Sequence, residues 1–264
     1  MPLFEQAEHD ERLRRVRERM SARGIDLLVS VDPSNMHYLT GYDGWSFYTP
    51  QAVIVPLDGE VLLATRFMDV GGAKVTTRLP HDAILGFPDH YVQARGKHPF
   101  DWVGAELVRR GHGRGTVAVE LDAYFHSPRA QGALEGAMPD ARFVDAEELV
   151  NWVRAVKSPA EIALMREAGV IAERVMAAAL AAIRPGVRQC DAVAAILAAQ
   201  ASGTEARGGD YTSFMPMLPT GEGASTPHLT WTDAPFVRGE ATIIETGGAR
   251  RRYHCPLART IHLG

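Results

Sequence analysis

The chain has 264 residues, of which 46% are hydrophobic and 23% charged, so it falls outside the disordered, collagen-like and disulfide-rich classes. Its formal net charge is −4 at pH 7 and it has no block of Lys and Arg, so we expect no nucleic-acid partner. Residues 1–19 lack the apolar stretch of a signal peptide, and no run of about 18 apolar residues predicts a membrane span. The two cysteines, Cys190 and Cys255, indicate a reducing cytoplasm.

The N-terminal part of the chain predicts alternating helices and strands. Apolar positions within residues 4–23 recur at helical spacing, and the apolar run at 25–31 predicts a short buried strand. Residues 51–56 and 61–65 predict two antiparallel strands, because the Asp-Gly pair between them favours a tight turn. Turn chemistry is expected at 32–35, helices at 102–109 and 127–137, and strands at 116–120 and 142–145. This alternation predicts an α/β layer of about 150 residues.

A domain boundary is predicted within residues 149–159. Ser158 is a favourable helix cap, Pro159 suits the first helical position, and Glu161 is favoured in the first turn. The helix that begins there is expected to end near Ile183. A second helix is expected at 189–203, and strands at 241–245 and 251–263. We therefore expect an α/β (α+β) protein with domains at 1–156 and 157–264.

Glu245 and His228 are the first candidate catalytic residues. Glu245 ends an apolar strand, where a carboxylate loses solvation and suits a general base or a nucleophile. His228 follows Pro227 in a loop and is able to transfer protons near neutral pH. The alternatives are a glutamate facing water at a strand end and a structural histidine, and the local sequence does not decide between them.

Further candidates follow on the last predicted strand. Arg259 is a candidate for holding an anionic group, or it closes a structural salt bridge, and His254 belongs either to a site or to the core. His254 and His262 lack the spacing of zinc ligands, and no pair of aspartates occurs on these strands. We therefore expect no metal centre in this part of the chain and no cofactor.

An aromatic loop at residues 41–48 is the remaining candidate site. Its aromatic faces are suited to enclosing a delocalised cation, and an acidic group beside them offsets the charge. A loop anchored by buried rings is an equally good interpretation. The candidate substrate-enclosing residues are Tyr42, Asp43, Trp45 and Tyr48, and Phe47 completes the four aromatics.

Several phrases together resemble the creatinase, aminopeptidase P and prolidase family. They occur in the family's order at 156–162, 227–228, 238–240 and 259–264. The resemblance implies a creatinase-like N-terminal α/β domain followed by the first half of a two-halved "pita-bread" catalytic domain, with the second half absent. It also implies a departure, since metal-dependent members carry aspartates where Glu245 and Pro256 stand here. Proline has no ligand atom, so a metal-independent relative is expected.

Within that family, the phrases at 32–37, 39–48, 88–93 and 252–260 are similar to those of the ectoine hydrolases. This resemblance implies opening of the cyclic amidine of ectoine to N-acetyl-2,4-diaminobutyrate, with hydroxyectoine as a further possible substrate and a homodimer as the assembly. It assigns attack or water activation to Glu245 and proton transfer to His228. The two alternatives are a metal-dependent Xaa-Pro dipeptidase and a noncatalytic module that binds ectoine.

Overall fold

The structure is a computed structural model that describes residues 3–46 and 48–264. The chain divides into two compact units, the first ending at Val156 and the second spanning Lys157–Gly264. Across the described residues, every helix is too short or too polar to cross a membrane.

The first unit is a mixed α/β layer. Its strands are β1 (Leu27–Ser30), β2 (Ala52–Pro56), β3 (Leu62–Arg66), β4 (Ile84–Phe87), β5 (Gly115–Val119) and β6 (Ala141–Asp145). Its helices are α1 (Gln6–Ala22), α2 (Pro33–Thr40), α3 (Val70–Thr76), α4 (Pro99–Arg109), α5 (Pro128–Ala137) and α6 (Leu149–Arg154). Short 3-10 helices occur at Phe67–Asp69, His81–Ala83 and Asp89–Tyr91.

The strands form one sheet in the order β4-β3-β2-β1-β5-β6. The pairs β1·β2 and β2·β3 are antiparallel, whereas β3·β4, β1·β5 and β5·β6 are parallel. Both faces of the sheet are covered, because Leu28 belongs to one apolar cluster while Leu27 and Val29 belong to another. The predicted α/β fold class is confirmed.

The turn prediction at 32–35 is wrong, because these residues begin α2. The Asp32 side chain accepts hydrogen bonds from the backbone N–H groups of Ser34 (2.8 Å) and Asn35 (3.1 Å). Pro33 occupies the first helical position. Aspartate and proline serve turns and helix starts alike, so the local sequence does not separate the two.

A buried carboxylate connects β1, α2 and the end of β5. Glu120 accepts hydrogen bonds from Ser30 Oγ (2.8 Å), the Val31 N–H (2.7 Å), the Asp32 N–H (2.9 Å) and Asn35 Nδ2 (2.7 Å). Burial raises the pKa of Glu120, and these four hydrogen bonds oppose the rise. The network fixes the start of α2 at the carboxyl ends of β1 and β5.

The second unit packs two helices against a β-hairpin. Its elements are α7 (Pro159–Ala182), α8 (Gln189–Ser202), a 3-10 helix at Gly221–Ser225, β7 (Ala241–Arg250) and β8 (Tyr253–His262). The start of α7 is a capping box: Ser158 Oγ accepts from the Glu161 N–H (3.2 Å) and Glu161 accepts from the Ser158 N–H (2.9 Å). The predicted helix start at Ser158 is confirmed.

The helix α7 lies very close to β7. A Cβ atom at Gly248 would lie 2.5 Å from both Ala168 O and Ala172 N, which is closer than real Cβ atoms come. Glycine at this position therefore permits the backbone contact between helix and strand. The apolar cluster of this unit, which includes Ile171, Val175 and Ile244, forms on the same side of the hairpin.

Candidate functional site

The β7–β8 hairpin places Glu245 on the face that turns away from α7. The two strands pair from Ala241↔His262 to Arg250↔Tyr253, and Glu245 is directly opposite Ala258. Side chains alternate along a strand, so the fully buried Ile244 occupies the other face, with the apolar cluster. Glu245 itself is half-buried.

Both backbone groups of Glu245 bond to Met217. Its N–H donates to Met217 O (3.0 Å) and its carbonyl accepts from the Met217 N–H (2.9 Å). The Ile243 N–H donates to Pro219 O (3.0 Å), so residues 217–220 run along the edge of β7 that β8 does not occupy. Among the described residues the Glu245 carboxylate has no hydrogen-bond partner, which leaves it available to a ligand.

His228 lies in an exposed loop that follows Gly221–Ser225. Its φ of 64° is in the left-handed region, which is uncommon for a residue other than glycine. Within the part of the chain that the structure describes, the imidazole of His228 forms no hydrogen bond with Glu245. The structure places both residues in the second unit but does not join their side chains, so the proton-transfer role stays a prediction.

His254 shares the Glu245 face of the hairpin, because it is opposite Ala249 in the ladder. Its Nδ1 is 2.9 Å from Arg252 O, and its Nε2 accepts from the Ser213 N–H at 3.0 Å. This pair of contacts assigns the proton to Nδ1. Burial lowers the pKa of His254, which favours the same neutral form. A hydrogen bond from His254 to a substrate would require the Ser213 segment to move.

Arg259 lies on the opposite face of the hairpin from Glu245. It is opposite Ile244 in the ladder, and its exposed guanidinium donates from Nη1 to Ala258 O (2.7 Å). The structure therefore does not bring Arg259 beside Glu245, and its predicted role in holding an anionic group stays untested.

The turn of the hairpin consists of two arginines with left-handed backbones. Arg251 has a φ of 50° and Arg252 a φ of 68°. Positive φ at both central residues is the geometry of a two-residue turn that matches the twist of paired strands, and Asn-Gly is its usual sequence. The Arg252 guanidinium lies 4.0 Å from the centre of the Tyr211 ring, and its backbone N–H donates to Asp210 (3.2 Å). These contacts support the turn from the adjoining loop.

The aromatic-loop candidates lie in the first unit and differ in exposure. Tyr42 is only 3% exposed, belongs to the core, and its hydroxyl is 3.3 Å from Thr65 Oγ1. Burial raises the pKa of Tyr42. The Asp43 N–H donates weakly to Thr76 Oγ1 (3.4 Å). Trp45 is 66% exposed. Tyr42 thus anchors the loop, and its predicted contact with substrate stays a prediction.

Tyr48 is the loop candidate that lines a cleft. It is 53% exposed, and its hydroxyl accepts from Arg66 Nη1 (2.9 Å). The cleft has a volume of about 170 Å³ and is lined by residues 48–50, 91–94 and 97–99 together with Arg129. Phe47 is outside the described residues. Sequence reasoning assigned no site role to Lys97 or Arg129, because they lie far apart in the chain and no local pattern joins them.

Two family models match the chain. Residues 12–156 match the creatinase/prolidase N-terminal domain, and residues 163–264 match metallopeptidase family M24. The chain belongs to the M24 family. This membership confirms the predicted resemblance and identifies the chain as a member of a hydrolase family.

Individual proteins and one solved structure are similar to the chain. The chain is 45% identical over 99% of its length to an ectoine hydrolase of Halomonas elongata, and it covers 67% of that protein. It is also 45% identical to an uncharacterized hydrolase/peptidase of Sinorhizobium fredii, again covering 67% of the relative. A prolidase of Thermococcus sibiricus superposes with a TM-score of 0.81 at 14% identity, over 97% of this chain and 66% of that one. The chain thus spans about two thirds of the length of these relatives.

The donor set of the hairpin does not fit the metal that the family name implies. Beside Glu245 on its face are Ala258, directly opposite, and the two flanking pairs, Gly247 with Pro256 and Ile243 with Thr260. None of these side chains is a carboxylate, imidazole or thiolate, and Thr260 offers only a hydroxyl. Both nitrogens of His254 are engaged with backbone groups. Nowhere in residues 3–46 and 48–264 do three His, Cys, Asp or Glu side chains come close enough to hold an ion.

Proposed function

We propose that this chain acts in the hydrolytic opening of the ectoine ring to N-acetyl-2,4-diaminobutyrate. The observation that carries the proposal is the 45% identity, over 99% of the chain, to the ectoine hydrolase of H. elongata. The match covers 99% of the chain and so extends over both the N-terminal and the C-terminal candidate residues. A half-buried carboxylate with no partner among the described residues supports the same reaction.

The reaction adds one water across a carbon–nitrogen bond of the amidine. Glu245 either attacks the amidine carbon or removes a proton from the water that attacks it. In either case His228 supplies a proton to the departing nitrogen as the ring C–N bond breaks. When water attacks, the acetamide and the free amine form directly. When Glu245 attacks, the acetimidoyl group stays bonded to its carboxylate until water cleaves the new C–O bond and releases the acetamide. The exposed His228 loop follows the 217–220 segment, which pairs with β7 at Glu245.

We propose further that this ring opening needs no metal ion. Pro256 stands where the resemblance implies an aspartate, and Glu245 replaces the other aspartate. The amidinium already carries the positive charge that a Lewis acid would otherwise have to induce, which makes its carbon electrophilic without a cation.

The remaining expectations complete the proposal. Asp43 and the exposed Trp45 and Tyr48 would enclose the amidinium, while the buried Tyr42 anchors the loop to the core. We propose a homodimer in the cytoplasm, in keeping with the composition and the family resemblance. Hydroxyectoine, which adds only a hydroxyl to the ring, is included as a substrate.

Two other functions make different predictions. A metal-dependent Xaa-Pro dipeptidase is favoured by the fold of the T. sibiricus prolidase, but the low identity supports the fold alone. A noncatalytic module would bind ectoine saturably without turning it over.

Proton NMR of ectoine separates these functions. Two proteins are tested: the chain alone, and a fusion in which the chain replaces the matched region of the H. elongata protein. Each is incubated with ectoine under chelator and again with added Mn²⁺. N-acetyl-2,4-diaminobutyrate formed under chelator supports the proposal. If ectoine survives every condition while a proline dipeptide is cleaved with Mn²⁺, the dipeptidase is correct, and saturable binding without turnover identifies the module.

A further inference from the structure

The cleft beside Tyr48 belongs entirely to the first unit, and its walls are held in place. One wall is the segment from Tyr91 to Pro99, in which Gln93 has a φ of 52° and Gly96 a φ of 70°. Arg129 Nη2 donates to Ala94 O and Lys97 O, each at 3.1 Å. These two bonds fasten the tightly turned segment to the start of α5.

The inner end of the same wall is fixed by the start of α4. His98 Nδ1 accepts from the Phe100 N–H (3.1 Å), and the His98 N–H donates to Asp101 (2.6 Å). Because this capping box holds both the backbone N–H and the side chain of His98 against the first turn of α4, this wall of the cleft is ordered without a ligand.

The charge of the cleft selects for anions. The described residues of its lining include the ammonium of Lys97 and the guanidinium of Arg129, and none of these described residues is Asp or Glu. Lys97 Nζ lies 5.5 Å from the centre of the Tyr91 ring, which holds the ammonium beside the cleft. Two carboxylates lie near the lining. Asp89 is paired with Arg66 Nε (2.8 Å), and Asp101 accepts from the His98 N–H (2.6 Å) at the start of α4, so the charged groups of the lining itself are Lys97 and Arg129.

The size and the walls restrict the anion further. A volume of about 170 Å³ is below the roughly 300–1,000 Å³ of sites for drug-sized ligands, so the occupant is a small metabolite. Pro50, Val92 and Pro99 contribute apolar surface. A dianion such as phosphate would lose its hydration against that surface, whereas a carboxylate with a short uncharged body would place the body there.

We propose that this cleft is a binding site for a small monocarboxylate with a short, uncharged body. The carboxylate lies between Lys97 and Arg129, and the body lies against Tyr48 and the apolar wall. This inference goes beyond the proposed function and shares only Tyr48 with it. The two fail separately, because the test below measures binding to the first unit and not turnover at Glu245.

Titration of the ¹⁵N-labelled chain with N-acetylglycine tests the proposal. The methyl ester of N-acetylglycine is the neutral control ligand, and inorganic phosphate is the control anion. We expect N-acetylglycine to shift the amide resonances of Gln93, Ala94 and Lys97 with a dissociation constant on the order of 1 mM, and the ester and phosphate to bind at least about tenfold more weakly.

A matched pair of lysine variants tests whether the ammonium of Lys97 contributes to binding of the carboxylate. Lys97→Met should weaken N-acetylglycine about three- to tenfold, whereas Lys74→Met, which removes an exposed lysine outside the cleft, should leave the affinity unchanged. The proposal is overturned if the acid and the ester bind alike, if phosphate binds as well as the acid, if both variants behave like the parent chain, or if the shifted resonances lie elsewhere. Absence of saturable binding overturns it as well.

Discussion

Gly247 and Pro256 face each other across the β7–β8 ladder, two positions from the pair of Glu245 and Ala258. Neither residue has a carboxylate in its side chain, so Glu245 is the single carboxylate on the exposed face of this hairpin. Residues at such diagonal positions of an antiparallel pair are about 7–8 Å apart, within reach of a shared ligand for long side chains.

Pro256→Asp should therefore create a measurable Mn²⁺ site. A second carboxylate diagonal to Glu245 supplies the oxygen ligands that this ion prefers, so we expect saturable binding in the millimolar range. Electron paramagnetic resonance of free Mn²⁺ measures it. Pro256→Ala is the matched control, because it removes the proline without adding a ligand, and equal titrations of the two variants would contradict the geometry.

Glu245→Gln should abolish ring opening while ectoine still binds. The amide keeps the shape of the side chain but neither attacks carbon nor accepts a proton, so we expect a loss of at least about 100-fold in kcat. The NMR assay described above measures it on whichever preparation is active. Glu173→Gln, an exposed position on α7, is the control; turnover by Glu245→Gln at the control's rate would remove Glu245 from the mechanism.

Acid should weaken the first unit through His9. Burial, followed by the charge of Arg12, lowers the pKa of His9 from 6.5 to about 4. Between these two values the unfolded chain binds more protons than the folded one, so the free energy of unfolding falls as the pH falls through this window, by up to about 3 kcal/mol. Burial also lowers the pKa of His98, His112 and His126, so urea unfolding of His9→Phe should show a smaller pH dependence than the parent chain but not lose it altogether. His81→Phe, at an exposed position, should keep it, and a similar slope in all three proteins would refute the assignment.

Gly248→Ala and Gly132→Ala should have opposite effects. The first adds a methyl group 2.5 Å from the backbone of α7, and overpacking of this kind costs about 1–3 kcal/mol. The second adds a methyl group to α5, where nothing lies within 4 Å, and should stabilise by about 0.5–1 kcal/mol through helix propensity. Hydrogen exchange of α7 and α5 amides measures each effect locally. Destabilisation by both variants would show that backbone freedom, and not the close approach, requires glycine.

Much of the fold could be predicted because its signals are local. The Ser158 cap, the Asp-Gly turn between β2 and β3, and the apolar run of β1 each specify their element within a few residues. The helices α3 and α6 and the strand β4 were missed because their local sequence signals are weak. In α3, Gly71 and Gly72 lower helix propensity, and its position depends on packing in the first unit.

The site residues likewise divide into those that the sequence reveals and those that only the structure reveals. Glu245 and Pro256 are visible as departures from a sequence pattern. That Arg259 lies on the opposite face follows only from the observed register with Ile244, since the sequence does not give the pairing. The cleft joins residue 48 to residues 91–99 and to Arg129, segments far apart in the chain, so no local pattern could have revealed it.

The two-residue left-handed turn at Arg251 and Arg252 also determines which side chains of β8 lie on the same face as Glu245. Side chains alternate in direction, so one residue inserted there would either be absorbed as a bulge or exchange the two faces of β8. In the second case Leu257 and Ile261 would leave the helices, and Pro256 and Ala258 would take their places. In a family member whose turn is one residue longer or shorter, the carboxylate at the position of Glu245 would therefore lie beside the other set of β8 side chains, even if the sequence of both strands were unchanged.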